Sequence, residues 1–215
     1  LSYSINNRHF LLRRLHSLFG VAPLGFFLMF HLWENSQSRF GAEHYNEKVV
    51  GFLQGMNYLP FIEIGLITLP LLFHSLYGLL ITSEMRPQPQ RYPLLHNRLY
   101  LLQRISGIGI LLFLLLHLGG TRFQTLVNPS LSADLFGHLQ ALLLQPWILW
   151  LYIIGLLLSV FHLANGLWGF CITWGITTSP VAQRRAFILF MGVGLLLAAI
   201  GLHGIWGFIY PAVSL

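Results

Sequence analysis

Five stretches of this chain are apolar for long enough to cross a lipid bilayer, and nothing else in it constrains the fold as much. They lie near residues 15–34, 58–83, 99–120, 147–175 and 186–210. In a helix, about 20 apolar residues traverse about 30 Å of hydrocarbon. Within lipid a backbone must satisfy its own polar groups, which leaves helices or closed barrels. Runs this long, without two-residue alternation, predict helices. Of 215 residues, 55% are hydrophobic and 8% charged, whereas a soluble domain carries about 25% charged residues. The connections are too short for a separate soluble domain. Residues 1–215 are therefore expected to form one all-α membrane domain, a bundle of five transmembrane helices.

The formal net charge of +6 does not point to nucleic acid, because its distribution follows the membrane. Arg8, Arg13 and Arg14 precede the first run; Arg86, Arg91, Arg98 and Arg104 lie between or just inside the second and third; Arg184 and Arg185 separate the fourth and fifth. The opposite side carries Arg39, Lys48 and Arg122. By the positive-inside rule the N-terminus is cytoplasmic and the C-terminus external. Some of these basic residues are also placed to meet an acidic cytoplasmic partner. Cys171 is the sole cysteine, which excludes a disulfide framework and a Cys-x-x-Cys-His site for covalent haem. The first 13 residues are polar and basic, and no small-residue cleavage site follows the run behind them, so the first span is expected to be retained.

Four of ten histidines lie inside the runs: His31, His74, His117 and His162. With the N-terminus inside, spans one and three run outward, and spans two and four run inward. Counting about 1.5 Å per residue puts His31 roughly 5 Å and His117 roughly 8 Å from the outer ends of their spans. The same count puts His74 and His162 roughly 21–24 Å in from the outer ends of theirs. The four thus form an outer pair, His31 with His117, and an inner pair, His74 with His162, about 15 Å apart in depth. Their sequence separations, 86 and 88 residues, are nearly equal, and the flanks repeat: FLMFHL against FLLLHL, and Phe73-His74 with Gly78-Leu79 against Phe161-His162 with Gly166-Leu167. The chain reads as a duplicated two-helix hairpin whose copies each supply one histidine to each depth.

A single intramembrane histidine can be a helix–helix hydrogen bonder, although such residues are functional by default. Four matched in depth and repeated in register are hard to assign to chance. One tetrahedral zinc needs its ligands together, and these occupy two depths. Two bis-histidine haems fit, four helices forming a haem-binding bundle. With both axial positions filled, such haems carry electrons rather than bind gas. Gly78 and Gly166, one turn after the inner histidines, are expected to clear space for a flat ring, and Gly119 and Gly120 follow His117 closely. Pro70 reads as a bend one turn before His74. His203 shares the outer depth but falls outside the repeat, so it ranks behind the four. His16 is placed for a propionate or a phosphate headgroup. His9, His44, His96, His138 and Glu34 read as solvated.

At these residues the chain resembles a known family. RRLHSLFG (13–20), FHLWEN, LPLLFHSLYG (69–78), LLQRISG (101–107), FHLANGLW (161–168) and TWGIT (173–177) are similar, in order and over nearly the whole chain, to the cytochrome b membrane anchor of succinate dehydrogenases and fumarate reductases. The likeness is to the single-polypeptide, two-haem, five-helix form. The resemblance implies two non-covalent haems b with axial ligands His31 and His117 (outer) and His74 and His162 (inner). It implies a flavoprotein with FAD and an iron–sulfur protein on the cytoplasmic side of a bacterial inner membrane. It also implies a quinone, usually menaquinone, and leaves room for a higher oligomer of the complex. Some two-haem fumarate reductases carry a glutamate within a turn of the fourth ligand. Here Val160 stands two residues before His162 and no acid is near, so that proton route is not expected.

Quinone chemistry needs protons, and Glu63, 11 residues before His74, counts to the outer haem's depth on the same helical face; its other reading is a structural carboxyl. Arg14, His16, Ser17, Gln103, Arg104 and Ser106 cluster at the cytoplasmic ends of spans one and three. They are placed to meet the inner haem's propionates through charge-assisted bonds, or to anchor the helices in anionic lipid. Two readings compete: the cytochrome b anchor of a hydrogenase or formate dehydrogenase, and a histidine-relay transporter, which would need a continuous ladder of ionisable groups. A reduced-minus-oxidised spectrum of the purified chain is expected to show a b-type α-band; a flat spectrum would contradict the haem reading.

Overall fold

The computed structural model describes residues 2–84 and 95–212. Arg86 and Arg91 lie outside the described residues. Among the described residues, five helical segments are long and apolar enough to cross a membrane: Arg8–Phe40, Leu59–Ser83, Leu95–Val127, Pro146–Thr173 and Pro180–Ile209. They are called here the first to fifth spans. Large apolar side chains face outward along them, Phe61 at 75% and Leu195 at 74% exposure. An aqueous surface would not tolerate so much exposed apolar area, and a lipid surface requires it.

Prolines and glycines set the helix boundaries. The first span starts within a longer helix, Ser2–Val21, and is interrupted where Pro23 lacks an N–H; the next helix runs Pro23–Ser36. The chain stays nearly continuous there, since Phe26 N–H donates to the Ala22 carbonyl at 3.2 Å. In the second span Pro70 can neither bond to the carbonyl four residues back nor pack under it. The helix answers with a π-helical turn over Glu63–Thr68 before resuming as Leu69–Ser83. The fourth span begins on Pro146 and the fifth on Pro180, the first-turn position where a missing N–H costs nothing. Ser179 caps the fifth span, its Oγ accepting from Ala182 N–H at 3.2 Å. The fourth ends at Gly175, whose φ of 71° suits a residue without a Cβ.

By its contacts the chain forms two compact units. The first comprises residues 1–27, 61–108 and 161–194. Within it, Asn165 donates to Gln103 Oε1 (2.7 Å) and to the Leu99 carbonyl (3.3 Å), and the Trp168 indole donates to the Gln183 carbonyl (3.0 Å). The HxxNGLW segment thereby ties the fourth span to the third and to the fifth. Arg13 and Glu84 form an exposed ion pair at 3.1 Å, a pairing that contributes little in water.

The second unit comprises residues 28–60, 109–160 and 195–215. Its core is Tyr45, Val49, Val50, Phe136, Leu139, Leu143 and Phe208. The π-helical turn Tyr45–Val50 and the short helix Leu135–Leu143 are connecting segments, yet they bury apolar faces against the fifth span. Gly207 permits a close approach: a Cβ there would collide with Ser38 Oγ and the Arg39 backbone. Ser38, fully buried, donates to the Gly204 carbonyl at 2.8 Å, and the Arg39 guanidinium donates to the Tyr210 carbonyl.

Asp134 clips the two connecting segments together. It accepts from Gly137 N–H (2.9 Å) and from the Asn46 amide (2.8 Å), while Asn46 Oδ1 accepts from Phe136 N–H (3.0 Å). The Gly137 bond and then the Asn46 bond hold its carboxyl below the usual carboxylate range. A carboxyl depressed by folding stabilises above its unfolded pKa and loses that contribution as pH falls through its folded value. Asp134→Ala is expected to cost about 1 kcal/mol as a lost cap, read as a lowered thermal midpoint in detergent. The wild-type midpoint is expected to fall on acidification below the ordinary Asp range, and this part of the fall should be missing in the variant.

Candidate functional site: two paired-histidine centres

The four span histidines come together two by two, one pair in each unit. His74 and His162 have ring centres 6.2 Å apart and planes at 84°. His31 and His117 are 5.9 Å apart at 80°. Two imidazoles bonded at about 2.0 Å to opposite sides of one metal place their ring centres about 6 Å apart, so both separations suit a shared metal.

In the first unit each ring is held by its Nδ1. The His74 Nδ1–H donates to the His16 carbonyl at 2.9 Å, which leaves Nε2 as the free nitrogen. Ser106 spends its only hydrogen on the Gln103 carbonyl (3.1 Å), so its oxygen, 3.0 Å from His162 Nδ1, accepts from that ring. His162 is thus the same tautomer, Nε2 free. Gln103 also donates to the His162 carbonyl at 3.1 Å. Two glycines make room for the rings: a Cβ on Gly20 would collide with His74, and one on Gly107 would stand 3.1 Å from His162 Cε1. The segments RRLHSLFG and LLQRISG are therefore cradles for the histidines of the second and fourth spans.

The glycines expected to clear a flat ring face other groups. Gly78 lies against His16 Nε2, at 3.1 Å from a Cβ placed there, and Gly166 against Gln103 Nε2, at 3.4 Å. His16 stacks on the His74 ring, 4.1 Å between centres and 7° between planes.

The second unit holds its pair differently. His117 Nδ1 lies 3.3 Å from the Tyr152 hydroxyl, and the Phe113 ring stacks on the imidazole at 5.4 Å. One turn after each histidine a side chain bonds back to the histidine's own carbonyl, Asn35 to His31 (2.7 Å) and Thr121 to His117 (2.6 Å). The Asn35 amide is also 3.4 Å from each ring nitrogen of His31. His203 is exposed on the fifth span.

The basic and polar residues singled out around the inner pair are in the first unit. Arg14 lies over the Phe10 ring (5.0 Å) and the Trp174 ring (4.9 Å), and the Trp174 indole donates to Ser17 Oγ at 3.0 Å. Arg104 lies 4.4 Å over the Tyr100 ring, within electrostatic reach of His16 and His162. Its Nε is buried and has no acceptor among the described residues. A buried guanidinium donor left unmatched suits an anionic oxygen.

Several expectations are revised by packing. Glu34, read as solvated, is buried at 7% exposure, and Tyr45, from the connection after the first span, is within electrostatic reach of it. His138, also read as solvated, is half-buried and donates from Nε2 to the Gly120 carbonyl at 2.8 Å. His44 is half-buried against Phe40 at 5.0 Å, and His96, exposed, sits on a helix 5.1 Å from Trp168. Glu63 is half-buried, opens the π-helical turn and belongs to the unit of His74. A π turn takes up an extra residue, so a face count at 3.6 residues per turn does not carry from Glu63 to His74.

The comparisons with known proteins bear on what these pairs serve. The chain is 36% identical over 203 residues to a protein described as succinate dehydrogenase cytochrome b558 subunit, from Bacillus subtilis (strain 168); the match covers 94% of this chain and 98% of that protein. No family model matches. No solved structure matches.

Ser106→Ala removes the acceptor of the His162 Nδ1–H. It is expected to cost roughly 1–3 kcal/mol, the penalty of a buried unmatched donor, measured as a lower thermal midpoint. Ser106→Thr, which keeps the hydroxyl, should lose less.

Proposed function

This chain belongs to the family of succinate dehydrogenase cytochrome b subunits, the membrane anchors of that complex, and on that premise we propose that it holds two haems b, each between two histidines. His74 and His162 would take one, His31 and His117 the other. The observation that carries this reading is the ring-centre separation, 6.2 and 5.9 Å, together with Nδ1 bonds that leave Nε2 of His74 and His162 as the second nitrogen. Such haems supply reversible one-electron transfer between the complex's soluble subunits and a membrane quinone.

The chain's own residues fix the rings and set their basicity. A ligand imidazole that donates its second N–H is oriented and made a stronger donor; His74 gives that hydrogen to a carbonyl, His162 to a hydroxyl. Arg104, with its unmatched Nε, and Arg14, held between two aromatic rings, are proposed to neutralise propionates. His16, Ser17, Gln103 and Ser106 brace the cradle around them. The partners are proposed to be a flavoprotein carrying FAD and an iron–sulfur protein. They would dock on the cytoplasmic side, where exposed Arg8, Arg98, Arg184 and Arg185 and the positive-inside rule place the N-terminus. For the quinone, menaquinone in the first instance, Glu63 is a proposed proton group, as an ionisable side chain within a span.

Replacing one histidine of each pair tests the assignment. His74→Ala and His31→Ala are each expected to lower haem per chain from two to one, measured as pyridine haemochrome against protein, while the double variant falls to none. Unchanged haem in either single variant would overturn the pairing. Glu63→Gln is expected to depress quinone turnover while both haem spectra persist; loss of haem would assign Glu63 a structural role instead.

A further inference from the structure

Glu34 is the carboxyl in the second unit whose burial the mechanism above does not use. It lies three residues after His31, near the end of the first span, and its own chain shields it to 7% exposure. Its helix neighbour Asn35 is held by groups from three elements. On its own helix Asn35 bonds back to the His31 carbonyl at 2.7 Å. From the connection that follows, the Tyr45 hydroxyl donates to Asn35 Oδ1 at 3.1 Å. From the fifth span, the backbone at Gly204 closes on Asn35, a Cβ there standing 2.9 Å from the Asn35 carbonyl oxygen.

The unit's cations are spent or elsewhere. Arg39 donates to the Tyr210 carbonyl, and Lys48 and Arg122 are exposed. Glu43, Glu47 and Asp134 are exposed, Asp134 being used as a cap. Among the described residues, the ion pair recorded is Arg13–Glu84, in the other unit. Glu34 is thus a largely buried carboxyl with no ion pair among the described residues. The Tyr45 phenol is within electrostatic reach of it and is pushed up by burial and then by the Glu34 charge, so Tyr45 stays protonated. A structural carboxyl in a span normally has a cation or a set of donors. One left without them, beside a redox centre, is placed for proton transfer. From the Tyr45 hydroxyl a polar run continues through Asn35 to the His31 ring, 3.4 Å from the Asn35 amide.

We propose that Glu34, with the Tyr45 hydroxyl beside it, is a proton-exchange group of the His31–His117 centre and serves the quinone reduced there. This rests on the reading of that pair as a haem centre facing quinone. Reducing one quinone to quinol takes two electrons, delivered from the partner subunits, and two protons. For each of the two protons in turn, the carboxyl O–H of Glu34 breaks as an O–H forms on a quinone oxygen, and the carboxylate regains its proton from water at the surface where the first span ends. In the reverse direction the carboxylate takes the proton that quinol gives up.

The test uses the complex purified with its soluble partners. Three readouts are taken: succinate oxidation with a short-chain menaquinone analogue, succinate oxidation with a dye that accepts electrons from the soluble subunits, and the reduced-minus-oxidised spectrum. Glu34→Gln is expected to lower quinone turnover by roughly tenfold or more, as loss of a proton donor does, and to flatten its pH profile. Dye-linked turnover and both haem bands should stay at wild-type levels. Glu34→Asp should recover part of the loss, and Tyr45→Phe, which keeps the ring packing, should show a smaller loss. Wild-type quinone turnover in Glu34→Gln overturns the proposal. So does loss of haem absorption in both Glu34 variants, which assigns the carboxyl to structure. Failure of the underlying reading is separately visible, because the wild-type complex itself would then lack quinone reduction or a b-type band.

Discussion

An imidazole inside a membrane span has two nitrogens, and neither can be left to hydrocarbon. The rest of this structure is arranged around that constraint. His74 gives one N–H to a backbone carbonyl and His162 gives one to a serine hydroxyl; each ring keeps a second nitrogen, and the two ring centres stand about 6 Å apart. An unmatched polar nitrogen there would cost on the order of 1–3 kcal/mol. A metal centre held between the rings would satisfy both nitrogens, and membership of the cytochrome b anchor family says which kind to look for.

The internal duplication seen in the ligand spacing extends to the residues that hold the ligands. Gly20 clears His74 and Gly107 clears His162. His16 faces Gly78 where Gln103 faces Gly166, and Asn35 bonds back to His31 where Thr121 bonds back to His117. Each correspondence keeps nearly the same offset as the histidines. Divergence since then is concentrated in chemistry rather than placement: a carbonyl against a hydroxyl, an amide against a threonine. In the two proposed haem centres, that is the level at which different potentials would be set.

Much of this was legible from residue order, for physical reasons that also explain what was not. Lipid imposes apolar length, so five spans could be read, but hydropathy marks where lipid begins and not where a helix does. The first helix accordingly extends back to Ser2. Histidines at matched depths were visible because depth is a residue count. Gly20 and Gly107 could have been found by carrying the repeat one element further. Tyr152 and Tyr45 could not, since each meets its partner across the fold with no fixed spacing; Ser106 was legible as a site residue, but not as the partner of His162 Nδ1. Glu34 reads as solvated by its place at the end of a span and is buried, because residue order does not show what packs over a span's end. The π-helical turn Glu63–Thr68 ahead of Pro70 was likewise not legible, and it changes only the face count from Glu63 to His74.

The central claim is that each pair of histidines closes both axial positions of one haem. Electron paramagnetic resonance of the oxidised, purified chain tests it most directly. With ring planes at 80° and 84°, the account predicts two low-spin ferric signals, both of the strongly anisotropic kind given by near-perpendicular imidazoles, and no signal from an open axial position. A high-spin ferric signal as a major species, or a single low-spin signal, would contradict it.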